Sequence, residues 1–154
     1  MSDLAVIDRR IPAMSDAALD KVRRLETLAL GAPQVPLTTA HVLHGGMYAR
    51  TVCLPPGTMI TGALVKVATV LIVEGDAVVY VGDAEPIRLQ GYNVLPASAG
   101  RKQAFVAVEA TNITMLFPTE AKTVEEAERH FTDECGLLSS RHEAASNHVL
   151  ITGE

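Results

Sequence analysis

The order of apolar and polar positions changes character twice along the chain. In SDAALDKVRRLETLALG, residues 15–31, Ala18, Val22, Leu25 and Ala29 recur at helical spacing, while Lys21, Arg23, Arg24 and Glu26 take the remaining positions. Ser15 stands as N-cap, Asp16 in the first turn and Gly31 just past the last periodic residue, so the pattern predicts an amphipathic helix lying against something. Pro33 and Pro36 then block any continuation, because neither has an N–H to donate. From about His41 to Pro118 the period drops to two. Val, Ile, Thr and Tyr dominate, and a turn signal (PPG, EGD, GDAEP, QGY, PASAG, ATN) recurs every eight to twelve residues. Strands are predicted over 47–54, 59–60, 63–73, 77–81, 87–89, 93–95, 103–109 and 113–117. No helical pattern interrupts this run, so crossover connections are excluded and the sheet is expected to be antiparallel. Last, TVEEAERHFTDECGLL predicts a second helix with Thr123 and Glu126 in a capping box and a stripe of Val124, Ala127, Phe131 and Cys135 or Leu138. The ending HVLITGE reads as an ordered extension, a strand on a neighbour or a frayed tail.

These segments divide the 154 residues into an N-terminal helix and proline-rich lead-in (1–40), a β-barrel (41–118) and a C-terminal helix and tail (119–154). One domain with a real core is the expectation at this length. No apolar run approaches the roughly 20 residues that span a bilayer, and the early acids of MSDLAVIDRR do not read as a secretory leader. A soluble, cytoplasmic protein without a membrane partner is expected. Cys53 and Cys135 have no metal-type spacing and read as reduced thiols.

Charge sharpens the picture. Residues 1–40 hold five acids and five bases, residues 41–118 again five of each, and residues 119–154 eight acids against three bases, so the whole net charge of -5 is C-terminal. With no Trp and 4% aromatics, this argues against a nucleic-acid polymer as partner. Any anionic ligand would be met by the neutral middle section. On strand parity, Tyr48, Arg50, Val52 and Leu54 share a face, as do Val65, Val67, Thr69, Leu71 and Val73. Arg50 beside Tyr48 is able to fork onto a phosphate or carboxylate, with Lys66, Thr69, Tyr92, Arg101, Lys102 and Gln103 as further candidate ligand-binding residues. The competing readings are that Arg50 bonds loop carbonyls or an acid at the sheet edge, and that SAGRKQ is a loop of solvated charges.

The run GMYARTVCLPPGTMITG resembles the cupin superfamily and, within it, the short single-domain cupins often encoded by bacteriophages. The matching residues are Pro33 and Gln34; Gly46, Tyr48 and Arg50; Pro55, Gly57 and Thr58; Thr61 and Gly62; then Gly91, Pro96 and Gly100 in the second half, whose last spacing is two residues longer than usual. The resemblance covers about residues 33–118. It implies a mainly β fold, an antiparallel double-stranded β-helix (jelly-roll barrel) with a helix at each end, and a homo-oligomer. It also implies positions for the metal ligands of metal-binding members, which fall near Ala63, Val65, Thr69 and Gln103, or at Val67 in a shifted register. Neither valine nor alanine can coordinate an ion, and a Gln amide is a weak neutral ligand, so no metal and no cofactor are expected. His41 and His44 are the alternative pair for a metal. The metal-free epimerases of the superfamily need a His base; here Tyr48 and Tyr92 exist, but the nearest acids are Glu74 and Glu109 at turn and strand ends.

Three functions remain. The first is a metal-free, non-enzymatic barrel binding a small, anionic ligand such as a nucleotide or sugar phosphate, as a phage-encoded sequestering protein would in the host cytoplasm. The second is a structural or assembly protein of a virion with a solidly packed barrel. The third is an enzyme with an unrecognised site.

Overall fold

A computed structural model describes residues 9–82 and 84–154. Residues 1–8, on which the leader reading rests, and position 83 of the GDAEP turn lie outside the described residues.

Helix α1 (Asp16–Leu30) begins where Ser15 Oγ accepts the Ala18 N–H at 3.1 Å. It ends at Gly31, which stays in the right-handed region and donates to Leu28 O. Ala18, Leu19 and Val22 are buried, and Glu26 accepts from Thr61 Oγ1, pinning the helix to the barrel mouth. Eight strands follow among the described residues: β1 (Thr38–His44), β2 (Met47–Leu54), β3 (Met59–Thr61), β4 (Thr69–Tyr80), β5 (Ile87–Ala97), β6 (Ala104–Ala107), β7 (Thr111–Pro118) and, after helix α2 (Val124–Phe131), β8 (Ser146–Ile151). Their order is β3-β6-β4-β7-β2-β1-β8, with β5 also on β4. This is the mainly β, barrel-forming sheet with a helix at each end that the pattern predicts.

Strand β4 changes partners along its length. Val70–Glu74 pair with β7, and Ala77–Tyr80 pair with β6. The switch falls at Gly75, whose φ is 138°. The EGD and QGY segments are therefore not hairpin turns. They are bends within two long strands, with Gly75 directly opposite Gly91. A turn glycine and a bend glycine satisfy the same need for positive φ, and only the cross-strand pairing tells them apart. For the same reason the expected strands 77–81, 87–89 and 93–95 are absorbed into β4 and β5.

Two further expectations are corrected. The stretch 63–68 is not a continuous strand: Val65 makes one isolated antiparallel bridge to Arg101, and the Lys66 N–H bonds Phe131 O instead of a neighbouring strand. The sheet is also not purely antiparallel, since β8 lies parallel to β1. Strands β1 to β7 pair with one another antiparallel, as the absence of helical crossovers requires, but α2 and the turns after it give the tail the length to run back beside β1.

Helix α2 is capped by Thr123 Oγ1 accepting the Glu126 N–H at 3.2 Å, and Glu126 reaches back to the Lys122 N–H. Its stripe ends at Phe131, and Cys135 lies in a separate turn of 3-10 helix. Cys53 and Cys135 are free thiols. No helix among the described residues is long and apolar enough to cross a membrane.

Candidate functional site

Alternation along β2, β4, β6 and β7 turns Val52, Leu71, Phe105, Ile113 and Met115 inward. They do not meet. Together with Ile60, Ala63 and Val65 they line a cavity of about 790 Å3, whose mouth lies between the C-terminal end of α1, the lead-in to β1 and the turns around residues 136–143.

Three guanidiniums line this cavity, those of Arg50, Arg101 and Arg141, and the surroundings of the two buried ones, Arg50 and Arg101, differ. Arg50, on β2, donates from Nη1 to Glu128 Oε2 at 3.1 Å and from Nη2 to Ser140 Oγ at 2.9 Å, and lies 5.7 Å from the Phe131 ring centroid. Glu128, 1% exposed, also accepts Arg141 Nε at 2.8 Å on its other oxygen. Arg50 is thus held by a buried acid, close to the reading in which it bonds an acid at the sheet edge.

Arg101, only 2% exposed, has no carboxylate partner among the described residues. Neutral acceptors fix it instead: Gln103 Oε1 at 3.1 Å, Ser98 O at 2.8 Å, Val67 O at 3.5 Å and Thr69 Oγ1 at 2.7 Å. Burial pulls its pKa down to about 10, which still leaves it charged at neutral pH. Gln103 also lines the cavity, and its Nε2 is a buried donor without a partner among the described residues. A buried uncompensated cation beside an unused donor is expensive in a resting protein, and both would be satisfied by an anion.

Of the residues singled out from the sequence, Arg50, Arg101 and Gln103 line the cavity, and Thr69 orients Arg101. Tyr48 sits behind Arg50. Its hydroxyl lies 2.6 Å from His41 Nδ1 and accepts from Arg50 Nη1 at 3.4 Å. The Asn147 amide donates to Ser140 O, so its oxygen faces His41 Nε2 at 2.7 Å; that nitrogen carries the proton, and Nδ1 accepts from Tyr48. Burial lowers the His41 pKa and raises that of Tyr48, so both are held neutral. Lys102, Lys66 and Tyr92 do not reach the cavity. Lys102 is completely buried between Glu26 at 3.0 Å and Glu134 at 3.1 Å, Lys66 pairs with Asp133 at the surface, and Tyr92 is exposed on the β4–β5 ribbon. Arg101 and Lys102 also overturn the reading of SAGRKQ as solvated charges.

Glu128, Ser140, Arg141 and Asn147 are missed by sequence reasoning. One signal for Glu128 exists: it falls on the stripe of Val124, Ala127 and Phe131, where an acid needs a partner.

The residues at the expected metal-ligand positions do not fit a metal. Ala63 and Val65 offer no donor, while Thr69 and Gln103 are both committed to the Arg101 cation, which would repel a second positive charge. His41 and His44 are not brought together either. Three residues apart on β1, they take opposite faces, His41 buried on Tyr48 and His44 outside near Thr152. Glu74 and Glu109 are exposed.

No family model and no curated protein sequence matches the chain. Solved structures do. A cupin superfamily protein from Desulfitobacterium hafniense is 15% identical, with 58% of this chain and 83% of that chain covered at a TM-score of 0.47. An RmlC-like cupin with a double-stranded β-helix fold from Methanocaldococcus jannaschii is 13% identical over 54% and 80%, at 0.46. A cupin-2 domain from Rhodospirillum rubrum is 17% identical over 60% and 68%, at 0.47.

Proposed function

We propose that the protein is a metal-independent binding barrel that takes a small organic anion into its central cavity. The observation that carries this reading is Arg101, a buried cation on the cavity wall without a carboxylate among the described residues. A cavity of about 790 Å3 lies within the range that holds drug-sized ligands. It also weighs against the structural-protein alternative, which needs a filled barrel. Binding is favoured over turnover because the inward-facing walls are apolar, and His41 and Tyr48 are engaged with each other behind Arg50. Sequestration of such an anion, in a host cytoplasm if the chain is phage-encoded, is the biological use; it rests on the sequence resemblance. A thermal-shift screen of organic anions against uncharged analogues tests the reading. The melting temperature is expected to rise with the former, and a flat response to every compound would refute it.

The same reading includes a homo-oligomer, and the outer sheet face supports a second copy as its partner. Register aligns Pro96, Val70, Leu116, Ala49, Val42 and Leu150 in one row across six strands. Every member is apolar, and Val70 is 45% and Leu150 59% exposed. The next row adds Val94 and Ile72. Strands about 4.8 Å apart and three rows about 6.8 Å apart, through Val70, Ile72 and Glu74, cover on the order of 600 Å2. Two such faces bury about 1,200 Å2, the lower end for a specific interface. Among the described residues Glu74 is the one acid on these rows, so two copies meet without a like-charge cluster. Light scattering should give about twice the 16.4 kDa chain mass, falling to one chain for Val70→Glu. A wild-type protein that stays at single-chain mass at all concentrations would sink this proposal.

A further inference from the structure

We infer that the anion recognised in the barrel is a singly charged carboxylate carried on an apolar body, an inference that rests on the binding-barrel reading above. Charge sets the first constraint. Arg50 is neutralised by Glu128 at 3.1 Å, Lys102 by Glu26 and Glu134, and Lys66 pairs outside the barrel. Arg141 shares Glu128 and reaches solvent. Among the described residues the buried wall therefore carries one uncompensated positive charge, on Arg101. A monoanion cancels it. A phosphomonoester dianion would leave a negative charge against Val52, Leu71, Phe105, Ile113 and Met115; at the mouth the acids Glu26 and Glu143 outnumber the one cation, Arg141, which shares Glu128 with Arg50.

The donors point the same way. A guanidinium has five N–H groups. Arg101 commits Nε to Gln103, Nη1 to Ser98 O and Val67 O, and Nη2 to Thr69, which leaves one N–H on Nη2. The neighbouring Gln103 Nε2 has no partner among the described residues. One charged and one neutral donor group suit the two oxygens of a carboxylate. They are too few for the three terminal oxygens of a phosphate. The apolar walls formed by Val52, Leu71, Phe105, Ile113 and Met115 then select the rest of the ligand.

Calorimetric titration of the full chain at pH 8, where octyl phosphate is a dianion, tests this with four probes: octanoate, octan-1-ol, octyl phosphate and adenosine 3′,5′-cyclic monophosphate. Octanoate is expected to bind at least about tenfold tighter than each of the others. Gln103→Glu places a carboxylate beside Arg101 and compensates it internally. That variant should bind octanoate at least about tenfold more weakly and octan-1-ol within about twofold of wild type. Octan-1-ol binding as tightly as octanoate would overturn the carboxylate while leaving the binding barrel standing. Octyl phosphate or the cyclic nucleotide binding tighter would overturn it in favour of a phosphate. No binding by any probe, the alcohol included, would overturn the binding-barrel reading as well. The wild-type ratios decide the matter even if the variant does not fold.

Discussion

Glu128→Ala should destabilise the protein by about 3–5 kcal/mol, the usual cost of removing one partner from a buried ion pair. Glu128 is the acid around which the C-terminal part of the fold is tied to the barrel. One oxygen accepts from Arg50 at 3.1 Å and Ser140 at 2.9 Å, and the other from Arg141. Its loss strands the Arg50 guanidinium, 5% exposed, without a counter-charge, and frees the turns that form one lip of the cavity. The measurement is urea unfolding of the single variant, of Glu128→Gln and of the Glu128→Ala/Arg50→Met pair. The amide keeps an acceptor for Arg50 and should cost less than alanine. The double variant removes the stranded charge and should recover a good part of the loss. A single-variant cost below about 1 kcal/mol would mean that water reaches Arg50 and the site is a surface ion pair.

Gly75→Ala should cost about 3 kcal/mol, combining a disfavoured backbone with overpacking. A Cβ at this position would stand 2.5 Å from Ala110 O and 2.8 Å from Thr111 Cα, at a φ of 138°. Both obstacles are backbone, so no side-chain rotation relieves them. The bend at Gly75 is what lets β4 leave β7 for β6, and Thr111 Oγ1 bonds the Asp76 amide beside it at 3.2 Å. Gly91, its cross-strand partner, supplies the control. It also has positive φ, 76°, but a Cβ there would meet nothing within 4 Å, so Gly91→Ala should cost only about 1 kcal/mol. Equal costs at the two positions, read by the same unfolding assay, would show that contact with β7 does not govern Gly75.

Local chemistry carries far in this chain. The caps Ser15 and Thr123, the strand from Met47 to Leu54 and the inward parity of Tyr48, Arg50, Val52 and Leu54 are all legible, because each depends on neighbours within a turn of helix or along one strand. So is the want of metal ligands at Ala63 and Val65, since valine and alanine have no donor in any fold. The candidate site is legible in part. Arg50, Arg101 and Gln103 are named as ligand-facing groups from the sequence, but so are Lys66, Lys102 and Tyr92, which the fold sends elsewhere.

What separates these two sets is distance along the chain. Arg101 and Lys102 are adjacent, equally basic and both buried, and no local rule distinguishes them. Successive residues of extended chain point in opposite directions, so Lys102 turns toward Glu26 of α1 and Glu134 beyond α2, while Arg101 turns toward Thr69 and Gln103. The strand from Met47 to Leu54, the caps and the stock of charges follow from the order of residues alone. Which cation meets an acid, and which is left facing a cavity, depends on the folded arrangement, because a charge is compensated by what lies within a few ångströms in space.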